Sequence, residues 1–284
     1  MTEATVLYEL RDGVALLTLN RPKRLNALVP EMQELWFDLL ERAADDPDVR
    51  VIVVTGAGRG FCAGADLERL EGISGGDINP GEEAILSRAQ TFPLTIPKPI
   101  IAALNGATAG LGLVQALMCD LRFAAAGAKL TTAFARRGLV AEHGMSWILP
   151  RLVGPSRALD LLLSGRVVLA DEAASMGLVD RVYSPDQLLG ETLAYARELV
   201  AHCSPSSMAT MKQQVYTHLD APLERALEES NELMLDSFRR PDLAEGVSSF
   251  QERRAPRFEG LGATQRGGRF GGAQRGAPRG PVSQ

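Results

Sequence analysis

Lys98 to Cys119 reads KPIIAALNGATAGLGLVQALMC, and the rest of the chain is arranged around it. Ile100 to Leu104 is a continuous apolar run of strand length, Asn105-Gly106 breaks it, and Ala107 to Gly112 is built of residues too small to cover a backbone. Leu113 to Cys119 resumes a helical pattern. A helix starting near Gly110 would turn unpaired backbone N–H groups and the positive end of its dipole toward that loop, where a developing negative oxygen could be held. The glycines let a ligand approach the backbone, and no side chain in the stretch could itself be an acid or base. Small residues between a strand and a helix also serve tight packing, so this stretch alone leaves both readings open.

A second stretch repeats the pattern. Val51 to Thr55 is another buried-strand run, followed by GAGRGFCAGADL from Gly56 to Leu67, again a small-residue loop opening a helix. Two such loops can supply two N–H groups, about the number needed to stabilise one carbonyl oxygen as an enolate.

Composition bounds the rest. At 284 residues and 45% hydrophobic content the chain can bury an ordinary globular core, and no stretch reads as a membrane span or a signal peptide, which points to the cytoplasm. Cys62, Cys119 and Cys203 lack paired spacing and read as reduced thiols. His143, His202 and His218 are scattered, so no metal site is expected. The net charge of −5 hides an asymmetry: Ala263 to Gln284 carries four arginines and no acid, which leaves −9 on the remainder. A negative body does not suggest nucleic-acid binding. The Gly/Arg-rich tail, with Phe270 its one aromatic, reads as a disordered, soluble extension rather than an RNA-binding arm.

The remaining elements follow from periodicity. Val6 to Leu10 and Val14 to Asn20 flank Asp12-Gly13 as a hairpin. Pro30 to Ala44 carries a helical stripe, and Val49 to Thr55 is the next strand. Glu68 to Ile96, rich in glycine before a more helical Glu82 to Phe92, reads either as a mobile flap or as a plain surface loop. Cys119 to Ala125 and Lys129 to Thr132 are strands, Ile148 to Val153 and Arg157 to Leu163 helices, Asp171 to Met176 a capped helix, and Gly177 to Val182 a turn into a strand. From Gln187 to about Phe250 the chain is helical, with breaks at Ser204-Pro205 and Arg240-Pro241. The organisation expected is an α/β core over 1–190, a helical region over 191–260 and the tail over 261–284.

Arg21 to Leu28 (RPKRLNAL), Phe61 to Leu67 (FCAGADL), Lys98-Pro99 with Asn105-Gly106, Cys119 to Ala124 (CDLRFA) and Leu149 to Gly154 (LPRLVG) stand in the order and spacing of the crotonase superfamily, the enoyl-CoA hydratase/isomerase family, which the chain resembles over almost its whole length. The resemblance implies a crotonase fold of stacked ββα turns with a helical C-terminal trimerisation region. It also implies an acyl-CoA thioester substrate, no cofactor beyond the coenzyme A of that substrate, and a homotrimer or hexamer. The family's two oxyanion N–H groups map onto Ala65 and Leu111. Its coenzyme A contacts map onto the backbone near Arg24, Leu25 and Ala27, onto Ala63, Asp66 and Leu67 around the adenine, and onto Arg253 for phosphate. The flap corresponds to a region that borders the acyl pocket in relatives.

The departure lies in the acid and base groups. Hydratases of the family use two glutamates on one water, but those positions here hold Val114 and Phe134, which cannot transfer a proton. One carboxylate remains. Glu142 stands where some family isomerases and a dehalogenase place a functional aspartate, amid Leu139, Val140, Ala141, Met145, Trp147 and Ile148, an apolar setting expected to suit a base. Capping of the following helix, or pairing with Arg136 or Arg137, is the alternative for Glu142. His143 either tunes Glu142, lines the pocket or packs. The function expected is hydration or isomerisation of an enoyl-CoA double bond with one carboxylate, the other reading being a catalytically silent acyl-CoA binder or scaffold.

Overall fold

A computed structural model describes residues 4–66, 68, 71 and 88–261. Most of the expected flap (72–87), Leu67 and the tail (262–284) lie outside the described residues.

The chain opens with β1 (Val6–Arg11) and β2 (Val14–Leu19), paired antiparallel. Asp12 (φ 51°) and Gly13 (φ 74°) both turn left-handed, the geometry a two-residue hairpin turn requires. Helix α1 (Pro30–Asp45) follows, buries Met32, Trp36, Phe37 and Leu40, and delivers β3 (Val51–Gly56), every residue of which is buried. A repeating unit then begins: a long buried strand, a short strand in a second sheet, and a helix. β3 passes into β4 (Gly60–Cys62); β5 (Ile100–Leu104) passes into β6 (Ala107–Ala109) and helix α2 (Leu111–Leu117); β7 (Leu121–Ala125) passes into β8 (Lys129–Thr131). Helices α3 (Met145–Val153) and α4 (Pro155–Ser164), strand β9 (Val168–Leu169), helix α5 (Ala170–Ser175) and β10 (Arg181–Tyr183) complete this part. The long strands form a six-stranded sheet in the order β1-β2-β3-β5-β7-β10, parallel from β2 onward, and the short ones a four-stranded sheet in the order β4-β6-β8-β9. Continuous apolar runs such as Ile100–Leu104 fit a parallel sheet covered on both faces.

Four helices end the described chain: α6 (Leu188–His202), α7 (Pro205–His218), α8 (Leu223–Ser237) and α9 (Pro241–Glu252). The breaks at Ser204-Pro205 and Arg240-Pro241 are where the sequence predicts them, and a third lies between His218 and Leu223. The capped helix expected at Asp171 is corrected in one respect. It starts at Ala170 with Leu169 at its N-cap and no side-chain cap bond, so Asp171 serves as a first-turn acid facing the helix dipole.

Candidate active site

The first wall of the site joins two loops. Leu25 (φ 50°) and Asn26 (φ 56°) are left-handed, which curls Arg21 to Leu28 into a tight loop. Buried Asn26 fastens it, accepting from the Arg21 N–H at 2.8 Å and donating to the carbonyls of Ala57 (3.0 Å) and Gly60 (2.8 Å). The loop then pairs with the one after β4: Ala63 N–H donates to Leu25 O (3.0 Å), Leu28 N–H to Gly64 O (2.8 Å) and Asp66 N–H to Leu28 O (3.0 Å). The Arg21 guanidinium ties the pair together from Ala27 O to Asp66 Oδ2, the latter at 3.0 Å. Burial pushes the Asp66 carboxyl up, but the Arg21 bond and the Glu68 N–H outweigh it and hold Asp66 below its ordinary value.

Arg24, Leu25, Ala27, Ala63 and Asp66 therefore come together as one surface. The Arg24 side chain points outward to Glu68 (3.0 Å). Leu67 lies outside the described residues. Arg253 stands apart from this wall within the chain: it ends α9 with φ 54°, and the segment after it packs on Arg50 and Pro47 before the start of β3, whereas the wall follows the end of β3.

The second wall is the start of α2. Gly110 (φ 50°, ψ −122°) takes a backbone conformation open to glycine and aims the first helical N–H groups, beginning with Leu111, at the loop. The two walls touch. A Cβ added to Gly64 (φ 98°) would lie 2.8 Å from Ala109 O and 3.5 Å from the Leu111 nitrogen, so the loop before Ala65 runs directly beside the Leu111 N–H. In the parallel bridge between Leu28 and Ala65, the bonds are made by Gly64 O and Asp66 N. That pattern turns the N–H of Ala65 away from Leu28, and among the described residues no backbone carbonyl outside regular elements accepts from Ala65 or Leu111. Beneath them, burial pushes the Cys62 thiol up to about 12, which keeps it neutral at pH 7.

The acid–base positions are as the sequence predicts in identity and different in setting. Val114 and Phe134 are buried apolar side chains. Glu142 is not enclosed by an apolar shell: its side chain is 34% exposed, and Val140 beside it is turned to solvent. The carboxylate lies 3.7 Å from His143 Nε2. Neither alternative role is observed. The residue capping α3 is Gly144, without a side-chain cap bond, and Arg136 donates to Ser164 O instead. His143 (φ 54°) and Gly144 (φ 82°) are successive left-handed residues that fold this turn onto Thr91 and Met118, whose Cγ2 and Cε lie 3.0 and 3.3 Å from where a Gly144 Cβ would be. Among the described residues no three His, Cys, Asp or Glu side chains group as metal ligands, and no helix is long and apolar enough to cross a membrane.

Comparison with known proteins bears on the family of the chain. A family model described as enoyl-CoA hydratase/isomerase matches residues 9–261. The 1,2-epoxyphenylacetyl-CoA isomerase of Escherichia coli (strain K12) is 34% identical over 261 residues, covering 90% of this chain and 98% of its own. The (E)-benzylidenesuccinyl-CoA hydratase of Thauera aromatica is 36% identical over 260 residues, covering 90% and 99%. The crystal structure of an enoyl-CoA hydratase, EchA12_1 from Mycobacterium marinum, is 51% identical with a TM-score of 0.65, covering 75% of this chain and 98% of that one.

Proposed function

The chain belongs to the enoyl-CoA hydratase/isomerase family and has the crotonase fold, and on that footing we propose that it binds an acyl-CoA thioester, holds the thioester oxygen between the N–H groups of Ala65 and Leu111, and moves a proton with Glu142. The observation that carries the proposal is the meeting of the two small-residue loops, with Gly64 against the Leu111 nitrogen and both N–H groups left out of the backbone pairing around them. Negative charge that develops on the carbonyl oxygen as an enolate forms would find two preorganised donors there.

With Val114 and Phe134 apolar, one carboxylate remains for proton transfer. A single group suits isomerisation, in which it takes a proton from one carbon and returns it to another. It also supports hydration if it guides the water by itself. The names of the two relatives, one an isomerase and one a hydratase, are in keeping with both outcomes. His143 Nε2 faces the Glu142 carboxylate at 3.7 Å. The coenzyme A portion would lie along Arg24, Leu25, Ala27, Ala63, Asp66 and Leu67, with Arg253 reaching a phosphate only if another copy presents it. Because Val114 and Phe134 remove both customary glutamates, a silent acyl-CoA binder is the second reading.

Glu142→Gln decides between them. The variant should keep acyl-CoA affinity, lower turnover about a hundredfold or more, and abolish exchange of the substrate's α or γ protons with heavy water. Exchange at the wild-type rate in the variant would remove Glu142 as the base. A wild-type protein with neither exchange nor turnover across 2-enoyl-, 3-enoyl- and dienoyl-CoA thioesters would favour the silent binder.

A further inference from the structure

Glu142 opens a tight turn. The Met145 N–H donates to Glu142 O at 2.9 Å, and the two residues between them, His143 (φ 54°) and Gly144 (φ 82°), are both left-handed. That is the pattern of a type I′ turn, whose first central position favours asparagine and whose second favours glycine. Gly144 is fixed by contact as well, since Thr91 Cγ2 and Met118 Cε close on the place a Cβ would take. Met118 ends α2, so the turn is seated on the helix whose first residue is Leu111.

His143 thus puts a titratable ring where a small amide would meet the backbone more easily. A residue held in a sparsely populated backbone region at a candidate site argues for a use of its side chain. Its Nε2 stands 3.7 Å from Glu142 Oε2, the two side chains being 20% and 34% exposed. Among the described residues no other hydrogen bond or ion pair engages the Glu142 carboxylate, and in particular no arginine or lysine neutralises it.

We infer that His143 relays protons for Glu142: it takes up the proton that the carboxylate removes from the acyl group and exchanges it with water before it returns. The inference rests on the reading of Glu142 as the base. In the first transfer the substrate C–H bond breaks, Glu142 accepts the proton, and the electron pair moves onto the thioester oxygen as the enolate. In the second, the new carboxylic acid gives that proton to the lone pair of neutral His143 Nε2, leaving a carboxylate and an imidazolium. The imidazolium exchanges its N–H with water, and the same transfers in reverse return a proton to carbon, so no co-reactant is consumed. Imidazole is ordinarily the stronger base of the two, so the second transfer runs downhill, and it is the side chain suited to shuttling protons near neutral pH. Catalytic pairs are often this loose without substrate and tighten in its complex. His143 acts through Glu142 and need not touch the acyl group.

The test is incubation with 2-enoyl- and 3-enoyl-CoA thioesters in heavy water, counting deuterium at the α and γ carbons of the recovered thioester. The wild type should introduce deuterium as it turns over. His143→Asn, which supplies the Asn-Gly pair that a type I′ turn favours, should keep the fold and the acyl-CoA affinity and introduce deuterium about tenfold or more slowly. In His143→Gly, equally compatible with the turn, added imidazole should restore the exchange. A loss that imidazole does not restore would make His143 a support of the turn and overturn the relay. Deuterium entering His143→Asn at the wild-type rate while Glu142→Gln abolishes it, or a wild type that turns over without introducing deuterium, would overturn the relay and leave Glu142 as the base. A wild type with neither turnover nor exchange would overturn both.

Discussion

Gly112 shows how closely the two walls are fitted. A Cβ on it would lie 2.3 Å from Cys62 O and 2.8 Å from Cys62 Sγ, so the first turn of α2 can lie on β4 only without one. Gly112→Ala should lower stability in urea by about 1–3 kcal/mol or more and reduce turnover, since any retreat of α2 carries the Leu111 N–H with it. An unchanged unfolding midpoint would show that β4 yields freely. The glycine-rich loop was legible as an approach to the backbone, but the division of labour between Gly110, which supplies a left-handed turn, and Gly112, which supplies contact, depends on a strand distant in sequence. The setting of Glu142 was not legible. Its neighbours read as apolar, yet Leu139 N–H bonding back to Phe134 O and two left-handed residues fold the segment as a turn with Val140 outward.

Among the elements, the long strands and helices were legible because burial on one or both faces repeats over five or more residues. The second sheet was mostly not. Its strands are two or three residues long, too short to show a period, and they pair across distant sequence, as Gly60 does with Ala107 and Thr108 with Leu130. The break before Leu223 had a signal in Pro222, which the helical pattern on either side overrode. Helix α7 is attached to the sheet by polar groups that no periodicity reveals. Buried Lys212 donates to Asp120 Oδ2 at 2.7 Å and to the carbonyls of Pro93 (3.2 Å) and Lys98 (3.1 Å), while Tyr216 donates to Asp120 Oδ1 at 3.0 Å. Burial and the Asp120 charge both push the Tyr216 hydroxyl above its ordinary value, so it remains a donor throughout the working range of pH. Lys212→Met strands Asp120 without its cation and should cost about 3 kcal/mol of stability, with Tyr216→Phe costing nearer 1 kcal/mol, both read from urea unfolding. Equal, negligible losses would show that α7 is held by apolar packing alone.

At the scale of the molecule, the apolar stripe of α8 does not face the chain's own core. None of its residues is buried, and Leu223, Leu227 and, on α9, Phe250 are largely exposed. An unpartnered surface of this kind is what further copies of the chain would cover. Sedimentation should therefore show a trimer or hexamer at micromolar concentration, and Leu223→Glu with Leu227→Glu should shift it toward smaller species; a wild-type monomer would contradict this. The central claim concerns two backbone N–H groups, and it is tested most directly by replacing Leu111 with its α-hydroxy acid counterpart, which exchanges that N–H for an ester oxygen and keeps the side chain. The account predicts a fall in kcat of about 10²–10³ on whichever enoyl-CoA the wild type turns over, with the melting temperature nearly unchanged, because among the described residues no backbone carbonyl outside regular elements accepts from the Leu111 N–H. Turnover at the wild-type rate in the ester variant would contradict it.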